Sequence, residues 1–303
     1  MDYDAIAAMF LVPNGGEGPG PPVPRSAARR LRDAVEPIAT IGWWSRPAAD
    51  AFTALGHGFF DGYVWGRASA LGPDVATSVV VSAFGVFHPA LLGTVYEHAR
   101  TLSSASDILV ARADGASAGL RQATFGFDAT AAATVADHLL SAVMTLEPGP
   151  RPLFAGLQAL PLPSDPYGRL WRAAELVREH RGDGHLAACA VAGLDMAEMN
   201  VLTELWLGYN VGEYSATRGF DAALLASAVE SLALRGWVVD GVISVEGRRA
   251  RDAIEQATDD SQVQLIRALG NDLDVIVDRL GAVSAAVVSS QAAPADPRKR
   301  AAG

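Results

Sequence analysis

Lysine is almost absent from this chain of 303 residues, because Lys299, near the C-terminus, is the only one. A single lysine in a tail excludes a Schiff-base lysine in the core and the phosphate-binding lysine of a Walker-type loop. Cysteine is equally scarce, since Cys189 stands alone. One cysteine excludes an intrachain disulfide and a CxxC metal site, and it favours a reducing compartment.

Positive charge and long apolar runs are also lacking. The formal net charge is -10 at pH 7, which argues against a general nucleic-acid binder, because contacts to phosphates supply most non-specific affinity. The first residues, MDYDAIAAMFLVP, lack the basic region and the apolar length of a signal peptide. No apolar run approaches the roughly 18 residues that a membrane span needs. These absences predict a soluble, cytoplasmic protein without a membrane partner.

Hydrophobic residues make up half of the chain, which is enough to build a sizeable core. They recur mostly at helical spacing, which predicts a mainly α-helical fold. Stretches rich in glycine and proline, one with six prolines between residues 147 and 166, predict the domain boundaries. The predicted divisions are a mobile segment 1–24, a helical domain 25–146, a Pro-rich linker 147–166, a winged-helix domain 167–288 and a disordered tail 289–303.

The stretch from Gly219 to Asp259 predicts a helix, a two-stranded wing and a second helix. Residues 237–239 and 242–244 alternate as short strands around Asp240-Gly241, a dipeptide that favours a two-residue hairpin turn. A long final helix follows in the sequence. This order of elements predicts a C-terminal winged helix.

Apolar residues in the predicted final helix are spaced alternately by three and four: Ile266, Leu269, Leu273, Ile276, Leu280 and Val283. Such a heptad seam predicts either a homodimer or a helix buried against the first half of the chain. The tetrapeptide Gly-Phe-Asp-Ala stands at 126–129 and again at 219–222. This repeat indicates a degenerate winged helix in the first half, which would make the chain a monomeric pseudo-dimer and favours the buried helix.

Two sets of motifs resemble known families. Arg235-Gly236-Trp237 and Val245-Glu246-Gly247-Arg248 resemble the end of the recognition helix and the start of the helix after the wing in MarR-type regulators. More widely, GFFDGY at 58–63, with Arg67, and REHRGDGH at 178–185 resemble an actinobacterial family of helix-turn-helix-annotated proteins of undefined role. The resemblance implies a winged-helix fold, and a MarR-type ligand would lie between the dimerisation helices and the winged core.

A DNA-binding transcriptional regulator is one alternative function. Its contact residues would be those of the predicted recognition helix and the helix after the wing: Ser227, Ser231, Arg235, Arg248 and Arg249. Residues 195–245, however, hold seven acids and only two arginines, a local charge of -5. Since such a surface repels phosphate at physiological salt, we expect no nucleic-acid partner here.

Polar residues near a cluster of aromatics suggest a ligand site between the two halves. Tyr63 and Arg67 share one predicted helical face, while Arg181, Asp183 and His185 surround a turn predicted at 181–184, where two glycines fall. Together these five residues would bind a small aromatic or anionic ligand. The structural alternatives are a close-packed helix from which Arg67 reaches solvent, and a hydrogen-bonded turn in which Asp183 caps the next helix.

An enzyme that uses the segment 179–185 is the second alternative. His180, Asp183 and His185 could converge there, but their spacing lacks the fixed helical face of an HExxH metal site. The sequence specifies no catalytic residue, metal or cofactor. The leading hypothesis is therefore a non-catalytic protein that binds or senses a small molecule.

Overall fold

Helices dominate the computed structural model, which describes residues 3–11 and 26–301. In chain order they are α1 (Tyr3–Phe10), α2 (Ala27–Trp44), α3 (Arg46–Ala54), α4 (Phe59–Ala68), α5 (Thr77–Phe84), α6 (Pro89–Ala99), α7 (Ala105–Ala123), α8 (Ala129–Val143), α9 (Pro152–Gln158), α10 (Pro166–Val191), α11 (Met196–Leu207), α12 (Ala222–Leu234), α13 (Val245–Asp260), α14 (Val263–Leu269), α15 (Leu273–Ser289) and α16 (Pro297–Ala301). The mainly α fold predicted from the sequence is confirmed.

The predicted wing is confirmed as a two-stranded antiparallel hairpin. Strands β1 (Val238–Val239) and β2 (Val242–Ile243) pair with Val238 opposite Ile243. Asp240 and Gly241 connect them with φ angles of 50° and 77°. Positive φ at both central residues is the geometry that Asp-Gly favours in a hairpin.

The two halves contact one another reciprocally. Helix α2 packs against α10 and α15, and α10 packs against α2 and α8, so the first long helix of each half meets the last helices of the other. A pseudo-dimer would pack in this reciprocal way, and that the two halves are duplicates stays a prediction. The Gly-Phe-Asp-Ala repeat, however, does not mark equivalent positions in the two halves. It precedes α8, the last long helix of the first half, but in the second half it precedes α12, the helix before the wing. In addition, the described residues between α6 and α7 form no strands.

The heptad seam is buried inside the same chain, although the final helix is not continuous. Leu273, Ile276, Leu280 and Val283 belong to the large core, and α15 packs along α2. Gly270, with φ +54°, separates α14 from α15 because only glycine adopts that conformation readily. In the described ranges no single helix is long and apolar enough to cross a membrane. Helices α10 and α11, which are bent against each other, together have the length and apolar composition of a span.

The turn predicted at 181–184 is wrong, because α10 continues through it. A glycine inside a helix costs about 1 kcal/mol relative to alanine, which tertiary contacts can outweigh. At Gly184 a side chain would collide with the hydroxyl of Ser261, so glycine allows the close approach of the segment before α14. Arg181 and His185 consequently lie one helical turn apart on a continuous helix.

The predicted linker and tail both contain packed structure. Helix α9 lies within 147–166, and its Phe154 and Leu157 join the large core. In the predicted disordered tail 289–303, Ala293 is fully buried and α16 forms. Within the predicted mobile segment 1–24, α1 is helical, whereas residues 12–24 lie outside the described part of the chain.

Candidate functional site

A cavity of about 490 Å³ lies between the two halves, within the size range of small-molecule sites. The Tyr63 ring stacks on Phe60 with 6.0 Å between centroids, and Trp43 meets Tyr63 edge-on at 5.3 Å. The aromatic residues of the wall are Phe10, Trp43, Trp44, Phe59, Phe60, Tyr63, Phe84, Phe87 and Tyr214. This packing gives the cavity a largely preformed apolar side.

The cavity lining is also highly charged and net positive, and several of its cations lie over the aromatic rings. Its acidic residues are Glu36, Glu179, Asp183 and Glu255. Its basic residues are Arg32, Arg67, Arg178, Arg181, Arg218, Arg251, Lys299 and Arg300. With all groups ionised, eight cations face four carboxylates, so the lining carries +4 in a chain of -10. Because charges interact more strongly away from water, this wall favours an anion.

Arg67 and Tyr63 form one corner of the cavity. The Arg67 guanidinium donates to both oxygens of Glu179, with Nη2 to Oε2 at 2.9 Å and Nε to Oε1 at 3.2 Å. Its Nη1 donates to the Tyr63 hydroxyl at 2.8 Å, one turn away on α4. Burial opposes ionisation of Glu179, but Arg67 and Arg178 outweigh it and hold its pKa below the usual range. Arg67 is thus buried and paired, and it does not reach solvent.

Glu255 of α13 is the centre of a second charge cluster. Its carboxylate accepts from Arg29 at 3.2 Å, from Arg181 at 2.9 Å and from Arg251 at 2.6 Å. Burial opposes its ionisation, but Arg251 and Arg181 lead the charges that keep its pKa well below the usual range. Arg181 also donates to Asp259 at 3.1 Å, while its Nε has no hydrogen-bond partner among the described residues. The cluster ties α2, α10 and α13 together at the cavity.

Asp183 and His185 also line the cavity, and burial shifts the pKa of each toward its uncharged form. Asp183 Oδ2 accepts from the Phe154 amide at 3.0 Å, Oδ1 has no partner within the described chain, and burial raises the pKa to about 7. His185 Nδ1 lies 3.0 Å from the Thr258 hydroxyl, and burial and the charge of Arg251 lower its pKa to about 3. At neutral pH the imidazole is neutral and the carboxyl is partly protonated.

All five predicted ligand residues therefore border one cavity. They are Tyr63, Arg67, Arg181, Asp183 and His185. The reason for their proximity differs from the prediction, because a continuous α10 brings three of them to the wall instead of a turn. That a ligand contacts them stays a prediction.

The side chains proposed for catalysis do not hydrogen-bond one another. His180 Nδ1 lies 2.8 Å from Gln262 Oε1, and burial lowers its pKa to about 4, whereas Asp183 and His185 have the separate partners given above. Cys189 Sγ is 3.6 Å from His185 Nε2, but burial raises the thiol pKa to about 11. A protonated thiol is a weak nucleophile. Among residues 3–11 and 26–301, no group of three or more His, Cys, Asp or Glu is placed to hold a metal.

Sequence reasoning missed much of the charged wall. Two pairs could have been found, since Arg32 and Glu36 on α2, and Arg251 and Glu255 on α13, each lie four residues apart on a helix. Their partners on other helices could not be inferred from spacing. Lys299 also borders the cavity, although the sequence predicts a disordered tail at 289–303.

Two of the residues considered for DNA binding have structural partners instead. The Ser231 hydroxyl donates to Glu198 on α11. Arg235 donates to the backbone oxygens of Ala192 at 2.7 Å and Gly193 at 3.3 Å, which satisfies carbonyls at the end of α10. These contacts hold α12 against its neighbours.

The other three, Ser227, Arg248 and Arg249, are exposed. Arg249 forms only an exposed ion pair of 3.7 Å with Glu246, and the wing tip carries Asp240 rather than a basic residue. Few cations are thus available to phosphate on this face.

One comparison with known proteins identifies a family. The model of a helix-turn-helix family matches residues 28–294, which is most of the chain. No curated protein and no solved structure gives a significant match. Helix-turn-helix proteins include many DNA-binding regulators, so the scaffold is one that such regulators also use. The match spans both halves and includes most of the residues that line the cavity. The chain therefore belongs to this helix-turn-helix family.

Proposed function

We propose that this protein binds a small aromatic anion in the cavity between its halves and acts as a non-catalytic sensor. The observation that carries the proposal is the net-positive, aromatic-lined cavity in a chain of charge -10. Aromatic rings would contact the flat apolar part of the ligand, and guanidinium groups would bind its anionic part.

The proton on Asp183 would tune this affinity. Its carboxyl has a pKa of about 7, so protonation at lower pH removes one negative charge from the wall. Anion binding is then expected to strengthen as the pH falls through about 7. The Nε of Arg181, which lacks a partner in the described chain, is a donor that a small rearrangement could offer to the ligand.

The position of the cavity supports a sensing role. Asn200 and Thr203 of α11 and Arg251 of α13 border it, and α11 packs against both α12 and α13. A ligand would therefore touch two helices that carry the recognition helix and the wing. A ligand that binds one arrangement of these helices more tightly than another would shift the protein toward that arrangement, which is what allosteric coupling requires.

The test is a fluorescence titration with 8-anilinonaphthalene-1-sulfonate, an aromatic anion. Gly182 borders the cavity, and a Cβ there would meet only Glu179 Oε2, at 3.6 Å. Gly182→Leu should place a bulky side chain in the cavity and weaken binding by at least about tenfold, whereas Gly182→Ala should leave the affinity within about twofold. Unchanged affinity in Gly182→Leu would place the probe elsewhere and refute the proposed site.

A DNA-binding regulator is the second candidate, which the family match favours. A gel shift with the DNA upstream of its own gene, at ~50 and ~150 mM salt, distinguishes the two. We expect no sequence-specific complex at the higher salt. A specific complex that survives there and is lost when Arg248 and Arg249 are both replaced by alanine would establish DNA binding by the winged helix.

A further inference from the structure

Part of the cavity wall comes from the two ends of the chain. Ile6, Met9 and Phe10 of α1 line it from one end, and Lys299 and Arg300 of α16 line it from the other. The family match covers only residues 28–294. Both end segments therefore lie outside the matched part of the chain, and they contribute residues to the wall of the cavity.

The two ends contact each other through the only lysine of the chain. Lys299 Nζ donates to the backbone oxygen of Met9 at 2.9 Å. The same ammonium lies 5.2 Å from the centroid of the Phe10 ring, within the range of a cation–π contact. This pair of interactions links α1 to α16 directly above the cavity.

Two polar contacts join α1 to the end of α2 and the start of α3, and the second of them is exposed. The Tyr3 hydroxyl donates to the Trp44 carbonyl at 2.7 Å, and Asp4 pairs with Arg46 while their side chains are 77% and 50% exposed. Exposed pairs of this kind contribute little, and a helix as short as α16 is marginal by itself. We expect both ends to open at a lower free-energy cost than the core.

Closure of the ends also brings positive charges together. Arg32 Nη2 donates to the backbone oxygen of Arg300. Burial and the nearby Arg32 charge lower the pKa of the Arg300 guanidinium, which means that the closed arrangement disfavours its charge. An anion in the cavity would offset this repulsion, because it is attracted to both guanidinium groups.

We propose that α1 and α16 form a lid over the cavity, that Lys299 latches it, and that an anionic ligand favours its closed state. The ligand part of this inference rests on the proposed function, whereas the latch can be tested without a ligand. The lid residues would also contribute to specificity, since Lys299 and Phe10 present an ammonium and a ring to the bound molecule.

Hydrogen exchange measured by mass spectrometry on the full chain tests the latch. In Lys299→Ala the amides of α1 should exchange about tenfold faster than in the natural protein. Lys299→Arg keeps a cation and a donor, and it should retain most of the protection. Equal exchange of α1 in the natural protein and in Lys299→Ala would overturn the latch, whatever the cavity binds.

Ligand-driven closure has a separate readout, because lysyl endopeptidase has one cleavage site in this chain, after Lys299. Saturating 8-anilinonaphthalene-1-sulfonate should slow this cleavage by at least about fivefold if it closes the lid. The probe should also dissociate about tenfold faster from Lys299→Ala in a stopped-flow measurement. Unchanged cleavage in a protein that binds the probe would overturn ligand-driven closure.

The two proposals fail in different ways. If the natural protein does not bind the probe but Lys299→Ala loses protection of α1, the latch stands and the ligand function is refuted. If the probe binds and is blocked by Gly182→Leu, yet α1 exchange is unaffected by Lys299→Ala, the ligand function stands and the latch is refuted.

Discussion

The cavity and the face formed by α12 and the wing are the two regions where a helix-turn-helix protein could act, and their chemistry is opposite. The cavity encloses eight cationic side chains beside aromatic rings. The α12 face instead exposes apolar side chains, including Leu234 at 92%, Val239 at 52% and Val242 at 62%. Positive charge is therefore concentrated in a cavity that is too small for a DNA duplex.

Two arginines on α13 illustrate the difference at a separation of only two residues. Arg251 is 3% exposed and donates to Glu255 at 2.6 Å. Arg249 has a side chain that is 77% exposed, and its pair with Glu246 spans 3.7 Å. A buried charge is tolerated only with partners, whereas an exposed pair is weakened by water and salt. Residue type alone thus does not set the role of an arginine.

The largest expected effect follows removal of the carboxylate at the centre of the second cluster. Glu255→Ala leaves three arginines without this partner, and we expect the free energy of unfolding to fall by about 3–5 kcal/mol. Urea denaturation measures it. The matched control is Glu246→Ala, the exposed partner of Arg249, which should cost no more than about 0.5 kcal/mol. Similar losses in the two variants would erase the contrast between the regions.

Asp183 should make stability depend on pH. Its pKa is about 7 in the folded protein against a reference of 3.8, so between about pH 4 and 7 the folded state holds a proton that the unfolded chain has released. Stability therefore falls as pH rises through this window. Asp183→Asn should remove the penalty and raise the unfolding free energy by about 2–3 kcal/mol more at pH 8 than at pH 5. A pH-independent effect in urea denaturation would contradict this.

His180 should act in the opposite direction. Its pKa is about 4 in the folded protein against 6.5 for the free side chain, so the unfolded chain binds the proton first as pH falls below about 6.5. Stability is lost on acidification, by about 2 kcal/mol between pH 7.5 and 5. His180→Gln should reduce that loss in urea denaturation. The exposed His138→Gln is the control, and an equal change in both variants would refute the assignment to His180.

The smallest expected effect compares two glycines of α10. Gly182→Ala should stabilise the protein by about 0.5–1 kcal/mol, because alanine is the better helix former and its Cβ meets only Glu179 Oε2, at 3.6 Å. Gly184→Ala should destabilise it, because the new methyl group would collide with Ser261. Thermal denaturation of the two variants measures whether each substitution raises or lowers stability. A change in the same direction for both would show that the two positions are packed alike.

Local signals in the sequence predicted several parts of this molecule. Asp240-Gly241 forms the turn of the wing, and apolar residues at helical spacing form the helices. The five candidate ligand residues border one cavity, and that they bind a ligand stays a prediction. The turn at 181–184 was wrong, because two glycines are a local signal that tertiary contacts of α10 overrode.

The sequence by itself determined the helical fold and the wing, because these depend on short-range periodicity and turn chemistry. Only the tertiary structure decided which charges are buried together. Glu179 meets Arg67 from 112 residues away, and Glu255 meets Arg29 from 226. Such partners attract one another strongly because they lie in a protein interior of low dielectric constant. The spacing of residues along the chain does not show which charged residues are buried together.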